Sequence, residues 1–305
     1  MITALVGHTG FVGSNLYEQG AFDAIYNSKN IEQAFKTEPD LLVYAGLRAE
    51  KFLANTNPDR DLEQVRIAEE NISRIKPKKL VLISTIDVFR TPVRVDEHTA
   101  IDTTELQAYG YHRLLLEKWV RERYSDALII RLPALFGKNL KKNFLYDMMH
   151  PVPALLSKSK FSELSRQDPE LSADYQLQDN GFYACSRDAA TQQRLREKFR
   201  ALGFSALQFT DSRSVFQFYP LRRLWSDIQT ALAAGLTLWH PATEPLSAAE
   251  IYDYVTGESF VNELETPPAL YDYRTLYAKA FGGASESYIM GKRELLCEIK
   301  EFIKG

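Results

Sequence analysis

Short runs of valine, isoleucine and leucine alternate with stretches in which apolar residues recur every three or four positions, and this rhythm holds through Gly137. Residues 2–6 (ITALV) read as a buried strand closed by the glycine-rich GHTGFVG, and 24–26 (AIY) as a weaker second strand. Residues 40–46 (DLLVYAG), 79–85 (KLVLIST) and 127–137 (ALIIRLPALFG) read as the third, fourth and fifth. Helical spacing fills 61–75 and 108–123. Continuous apolar strands separated by helices predict an α/β fold built on a doubly wound parallel sheet.

Beyond Gly137 the pattern changes. Residues 187–202 predict an amphipathic helix stopped by Gly203, 206–221 an extended stretch, and 222–235 another helix. Ser247 with Glu250 three residues on predicts a capping box, and 290–305 predict a closing helix.

Composition narrows the class. With 305 residues, 45% of them hydrophobic, the chain can bury a large core. A net charge of −3 offers no global field for nucleic acid or an anionic membrane. Two cysteines, Cys185 and Cys297, are too few for a disulfide framework and point to a reducing compartment. No apolar run approaches the roughly 18 residues of a membrane span, and no basic region precedes the first apolar stretch. A soluble, cytoplasmic protein with no metal site is expected.

Candidate chemistry begins at VGHTGFVG. Gly7, Gly10 and Gly13 follow a strand and open a helix, so backbone amides around Thr9, Gly10, Phe11 and Val12 would hold a diphosphate. Ala45 and Gly46, closing the third strand, are expected to flank the same cofactor. The second strand ends in Asn27, Ser28 and Lys29 with no carboxylate for a ribose 2′-hydroxyl. Hydroxyl, amide and ammonium groups suit a 2′-phosphate, so NAD(P), with a lean toward NADP, is the expected cofactor. This makes 1–138 a dinucleotide-binding domain, completed by part of 205–240, and leaves 139–204 and 241–305 as a smaller substrate lobe.

GHTGFVG, DLLVYAG, STIDVF, YGYHR with a following glutamate, and RLPALFG stand in the order found in the extended short-chain dehydrogenases/reductases. The chain resembles that superfamily, specifically its NAD-dependent epimerase/dehydratase group, over about the first 140 residues. The resemblance implies a Rossmann-type sheet, a nucleotide-sugar substrate and a homodimer formed through helices 61–75 and 108–123. It also implies three catalytic positions, which fall on Thr85 (with Ser84 as a second hydroxyl), Tyr109 and Arg113, where the family has lysine. Glu117 falls where the family often has glutamate, and Asp87 where relatives often carry an acid or base. Asn143 resembles an asparagine contacting the substrate diphosphate, with a plain helix N-cap as its alternative, and Arg213 stands near a phosphate-binding arginine.

A phenol with a pKa near 10 needs help to act as a base near neutrality. Tyr109 and Arg113 are four apart on a predicted helix and share a face. The guanidinium would therefore favour phenolate and bond the nicotinamide ribose, although arginine is not a neutral exchange for lysine at a fitted site. A surface ion pair of Arg113 with Glu117 is the alternative. Lys138, Lys141, Lys142 and His150 are further substrate-side candidates. Phe209, Phe216, Phe218 and Tyr219 read as core, and Cys185 as a small buried residue. Three readings follow: a nucleotide-sugar epimerase, dehydratase or reductase; a dinucleotide-binding sensor or scaffold without turnover; and an NADPH-dependent reductase of a non-sugar carbonyl.

Overall fold

The computed structural model describes residues 1–283 and 285–305, in two units. The first comprises Met1–Leu140, Val215–Leu246 and Leu270–Glu298; the second comprises Lys141–Ser214, Ser247–Ala269 and Ile299–Gly305.

Six parallel strands form the sheet of the first unit. They are β1 (Thr3–Val6), β2 (Ala24–Tyr26), β3 (Leu41–Tyr44), β4 (Leu80–Thr85), β5 (Leu128–Leu132) and the edge strand Leu238–Trp239. Their order runs from the edge strand through β5, β4, β3 and β1 to β2. This is the predicted α/β, Rossmann-type doubly wound sheet, and it reverses direction of winding between β1 and β3. Leu42, Leu80, Leu82 and Ile129 are buried under Ile72, Ile75, Leu116 and Val120 of the covering helices. Each such side chain contributes roughly 1.5–3 kcal/mol. Those helices are α1 (Phe11–Gln19), α2 (Lys51–Thr56), α3 (Pro58–Ile75) and α4 (Ala108–Arg123).

Three expectations change. The fifth strand is interrupted at Pro133, which has no N–H for the ladder. The chain resumes as Ala134–Phe136 and pairs with Phe218–Pro220 instead. Leu238–Trp239 is too short for any periodicity to announce, yet it completes the sheet. Residues Leu270–Glu298, expected in the smaller lobe, belong to the first unit, where parallel bridges join Asp272 to Val93 and Leu270 to Val215.

The second unit carries an antiparallel sheet of Leu155–Leu156, Tyr183–Cys185 and Tyr175–Leu177. Val152, Leu164, Leu171, Leu195 and Phe199 fill its core. The predicted helix is present as Ala189–Ala201, and the Ser247–Glu250 capping box forms with both bonds. Residues 206–209, expected to be extended, form a short 3-10 helix, because Ser205 and Gln208 make an unforeseen capping box. Among the described residues no helix is long and apolar enough to cross a membrane.

Candidate functional site

The turns after β1 and β3 meet where the sheet reverses. Gly7 takes φ +95°, and a Cβ there would lie 2.4 Å from the carbonyl oxygen of Ala45. A Cβ on Gly13 would lie 2.1 Å from the carbonyl oxygen of Gly7. These glycines let strand, turn and helix interlock. Gly10 is the N-cap of α1, and no side chain caps that helix end. The first-turn amides at Phe11, Val12 and Gly13 are thus left for an anion, with the helix dipole in its favour. Thr9 and Gly46 are exposed beside this turn and Ala45 is half-buried. The Gly7 amide donates to the carbonyl of Tyr26 (2.8 Å), and His8 Nδ1 lies 3.0 Å from the same oxygen. Asn27 Oδ1 accepts from the Lys29 amide (2.8 Å) and Asn30 Oδ1 from the Asn27 amide (2.7 Å). The side chains of Ser28 and Lys29 are left exposed.

A second group gathers at the carboxyl end of β4. Thr85 caps a 3-10 turn, Ile86–Val88, by accepting from the Asp87 amide (3.2 Å). Helix α4 presses on this turn at Gly110, where a Cβ would come within 2.0 Å of the Asp87 carbonyl oxygen. An isolated glycine inside a helical pattern costs about 1 kcal/mol and so signals packing. The preceding residue, Tyr109, is buried; its amide donates to Asn55 Oδ1 of α2 (2.9 Å), and Thr85 acts on its phenol in favour of the ionised form. Asp87 is tied at both oxygens, to Lys51 Nζ (3.1 Å) and to the Tyr271 hydroxyl, which donates at 2.9 Å.

Arg113 departs from expectation. It is 4% exposed and forks onto Asp61 of α3, Nη1 to Oδ2 at 3.0 Å and Nη2 to Oδ1 at 3.1 Å. It also donates to the Arg48 carbonyl (2.8 Å), and His112 Nδ1 lies 2.9 Å from Asp61. Three of its donor contacts are therefore made within the protein, and its charge meets a carboxylate. Its guanidinium carbon still lies 4.7 Å from the centre of the Tyr109 ring. The expected drop in the Tyr109 pKa does not follow. Burial pushes the phenol above its ordinary value, Arg113 and, less strongly, Thr85 offset this in part, and Asp87 and Asp61 reinforce it.

The surface pair of Arg113 with Glu117 is absent. Glu117, 1% exposed, accepts from Ser84 Oγ (2.6 Å) and from Nε and Nη2 of Arg131 on β5 (3.1 and 2.6 Å). Ser84 is thus committed to a buried network rather than held as a second hydroxyl beside Tyr109. Arg131 Nη1 lies 3.3 Å from His240 Nε2. Burial, and then Arg131, hold His240 down to about 3.

The remaining candidates are mostly occupied. Asn143, with φ +126°, is the N-cap of Phe144–Met149 and accepts from the Tyr146 amide (3.1 Å). Arg213 is gripped by Asp211 (2.7 Å) and Glu263 (2.9 Å), so it is not presented as a free phosphate ligand. Lys138 pairs with Glu18 (2.6 Å), while Lys141 is exposed. Beside the Asn143 helix, burial lifts Asp147 to about 7, and burial with Arg187 and Arg196 lowers His150. Cys185, Phe218 and Tyr219 are buried, whereas Phe209 is exposed.

Sequence reasoning missed Lys51, Asp61, Gly110, Arg131 and Tyr271. Gly110 within a helix and Arg131 within an apolar strand carried a signal. Lys51, Asp61 and Tyr271 carried none, since Tyr271 meets Asp87 across 184 positions.

Residues 1–155 match the family described as RmlD substrate binding domain. No curated protein matches the chain. Among solved structures, a dTDP-4-dehydrorhamnose reductase from Bacillus anthracis str. Ames in complex with NADP is 16% identical, with a TM-score of 0.62, over 100% of this chain and 98% of that one. WbmG from Bordetella bronchiseptica, in complex with NAD and UDP, is 13% identical with a TM-score of 0.63, over 99% and 93%. RMD from Pseudomonas aeruginosa, complexed with NADPH, is 14% identical with a TM-score of 0.59, over 100% and 99%. These likenesses show the fold.

Proposed function

The chain belongs to the RmlD substrate binding domain family, and on that premise we propose that it is an NADP-dependent reductase of a keto group on a nucleotide-linked sugar. One observation carries the reading: buried Tyr109, whose phenol feels Thr85 at the carboxyl end of β4, lies on the same sheet edge as the uncapped amides of α1. Those amides would hold the diphosphate, the Ala45–Gly46 turn would flank it, and Ser28 and Lys29 would meet a 2′-phosphate. When bound, the reduced nicotinamide supplies a hydride. Tyr109, kept neutral by burial, is suited to give its proton to the substrate oxygen as charge develops there, with Thr85 orienting the hydroxyl. Reduction is preferred to epimerisation or dehydration because both oxygens of Asp87, the acid or base those reactions would draw on, are engaged by Lys51 and Tyr271. The B. anthracis neighbour, named as a dTDP-4-dehydrorhamnose reductase and holding NADP, supports this substrate class and cofactor. A homodimer through α3 and α4 belongs to the same reading, with Ile67 and Tyr111, both exposed, meeting the second copy.

A second reading, a dinucleotide-binding protein without turnover, is favoured by the commitment of Arg113 to Asp61. One experiment separates the two. The purified protein is given NADPH and a dTDP-linked 4-keto-6-deoxysugar, and the loss of NADPH absorbance is followed. Turnover that falls about 10²–10⁴-fold in Tyr109→Phe, with NADPH affinity unchanged, supports the reductase. Binding of NADPH without consumption supports the second reading, and absence of binding removes both.

A further inference from the structure

A proton must leave Tyr109 in the proposed reduction, and the charges around that phenol decide how readily it goes. The ionisable groups facing it come from four places besides its own helix. Asp61 comes from α3, Asp87 from the turn after β4, Lys51 from α2, where it acts through Asp87, and Tyr271 from the returning segment. From its own helix comes Arg113, with His112 sharing Asp61. Counting formal charges, Asp61 and Asp87 give two negative, Arg113 and Lys51 two positive.

Arg113 and Asp61 form a bidentate pair, and of the two Arg113 acts the more strongly on the phenol. Releasing Arg113 toward a ligand would leave the largely buried Asp61 carboxylate without its partner, so Arg113 is held in place. Against Arg113 stands the carboxylate of Asp87, whose negative charge opposes loss of a proton from Tyr109. Lys51 Nζ lies 3.1 Å from that carboxylate, and its side chain is half exposed, so it keeps contact with water. Its place is fixed by the same helix that caps α4. Asn55, one turn on from Lys51 and therefore on the same face, accepts from the Tyr109 amide and donates to Gln107 Oε1 (2.7 Å).

We infer that Lys51, resting on the reductase reading above, is a positioning residue that works beside Arg113 by offsetting the Asp87 carboxylate next to Tyr109. Without Lys51 the four-charge count around the phenol becomes −1, and the phenol holds its proton more tightly. Lys51→Met thus lowers kcat near neutral pH about tenfold, the equivalent of one pKa unit. Lys51→Arg restores it, and so in part does Lys51→Met combined with Asp87→Asn, which brings the count back to neutral.

The decisive measurement does not depend on turnover. The protein is made with ring-carbon-labelled tyrosine, the Tyr109 signal is identified by its loss in Tyr109→Phe, and its ionisation is followed by NMR in each variant. The expected result is a Tyr109 titration moved up by about one unit in Lys51→Met and returned in Lys51→Arg and in the double variant. An identical Tyr109 titration in the natural chain and in Lys51→Met overturns the inference. A shifted titration in a protein that never consumes NADPH sustains the inference about Lys51 and overturns the reductase reading alone.

Discussion

In the turn after β1 the contacts that shape the site are made by backbone: Gly7 against Ala45, Gly13 against Gly7, an uncapped helix end. Around Tyr109 they are made by side chains drawn from four distant segments: Lys51, Asp61, Asp87 and Tyr271. The first arrangement depends on what is missing from three residues, the Cβ atoms, and no partner needs to be specified elsewhere. The second depends on pairs, each of which can be exchanged for another pair with the same net charge. A site of the first kind tolerates almost no local change. A site of the second kind can keep its tyrosine while its cations are rearranged; here Arg113 pairs with Asp61 and Lys51 with Asp87.

The sharpest way to break this contrast is to remove one member of a pair. Asp61→Ala leaves the Arg113 charge buried without a counterion and should destabilise the fold by about 3–5 kcal/mol, read from denaturant unfolding. Asp61→Leu with Arg113→Met should recover most of that loss, because a well-packed apolar pair replaces a buried ionic one at little net cost. Recovery would establish that the pair is exchangeable; a double variant as unstable as Asp61→Ala would refute it. A smaller effect is expected in the turn. Gly13→Ala forces a Cβ to within 2.1 Å of the Gly7 carbonyl oxygen, which no rotamer can relieve, and should cost about 1–3 kcal/mol. Its NADPH affinity should fall at least about tenfold in a fluorescence titration, because the amides shift as the helix backs away.

The smallest expected effect is electrostatic and belongs to Tyr109 alone. Burial moves its phenol above the ordinary value of 10, so as pH climbs past 10 the unfolded chain loses this proton first. The stability it contributes is whole below pH 10 and is lost as pH rises toward the folded value. Unfolding free energies of the natural chain and of Tyr109→Phe should run parallel below pH 10, and the natural chain's should fall faster above it. The Gly13→Ala variant should keep the natural slope.

The same contrast explains what could be read in advance. The five longer strands, α4 at Ala108–Arg123, the glycine turn and the Ser247–Glu250 cap are all local statements, in which a periodicity or a missing Cβ acts within a few residues. The split at Pro133 is equally local, but the apolar run on either side of it masks the break. The two-residue strand Leu238–Trp239 had no pattern to read, since it is a strand through pairing with β5. Thr85 and Tyr109 were found together because a short motif fixes each of them. Ser84, Arg113 and Arg213 read as ligand contacts in the sequence because their partners, Glu117, Asp61 and the Asp211–Glu263 pair, are not marked by any local pattern.

By itself the sequence determined the sheet, the uncapped helix end and the tyrosine in the first turn of α4, because hydrophobic period and glycine sterics act over neighbouring positions. Which cation answers which carboxylate was decided only by tertiary structure. A charge pairs with whatever the folded chain brings within about 3 Å, and burial, which sets the strength of that pairing, exists only once distant segments have closed over it.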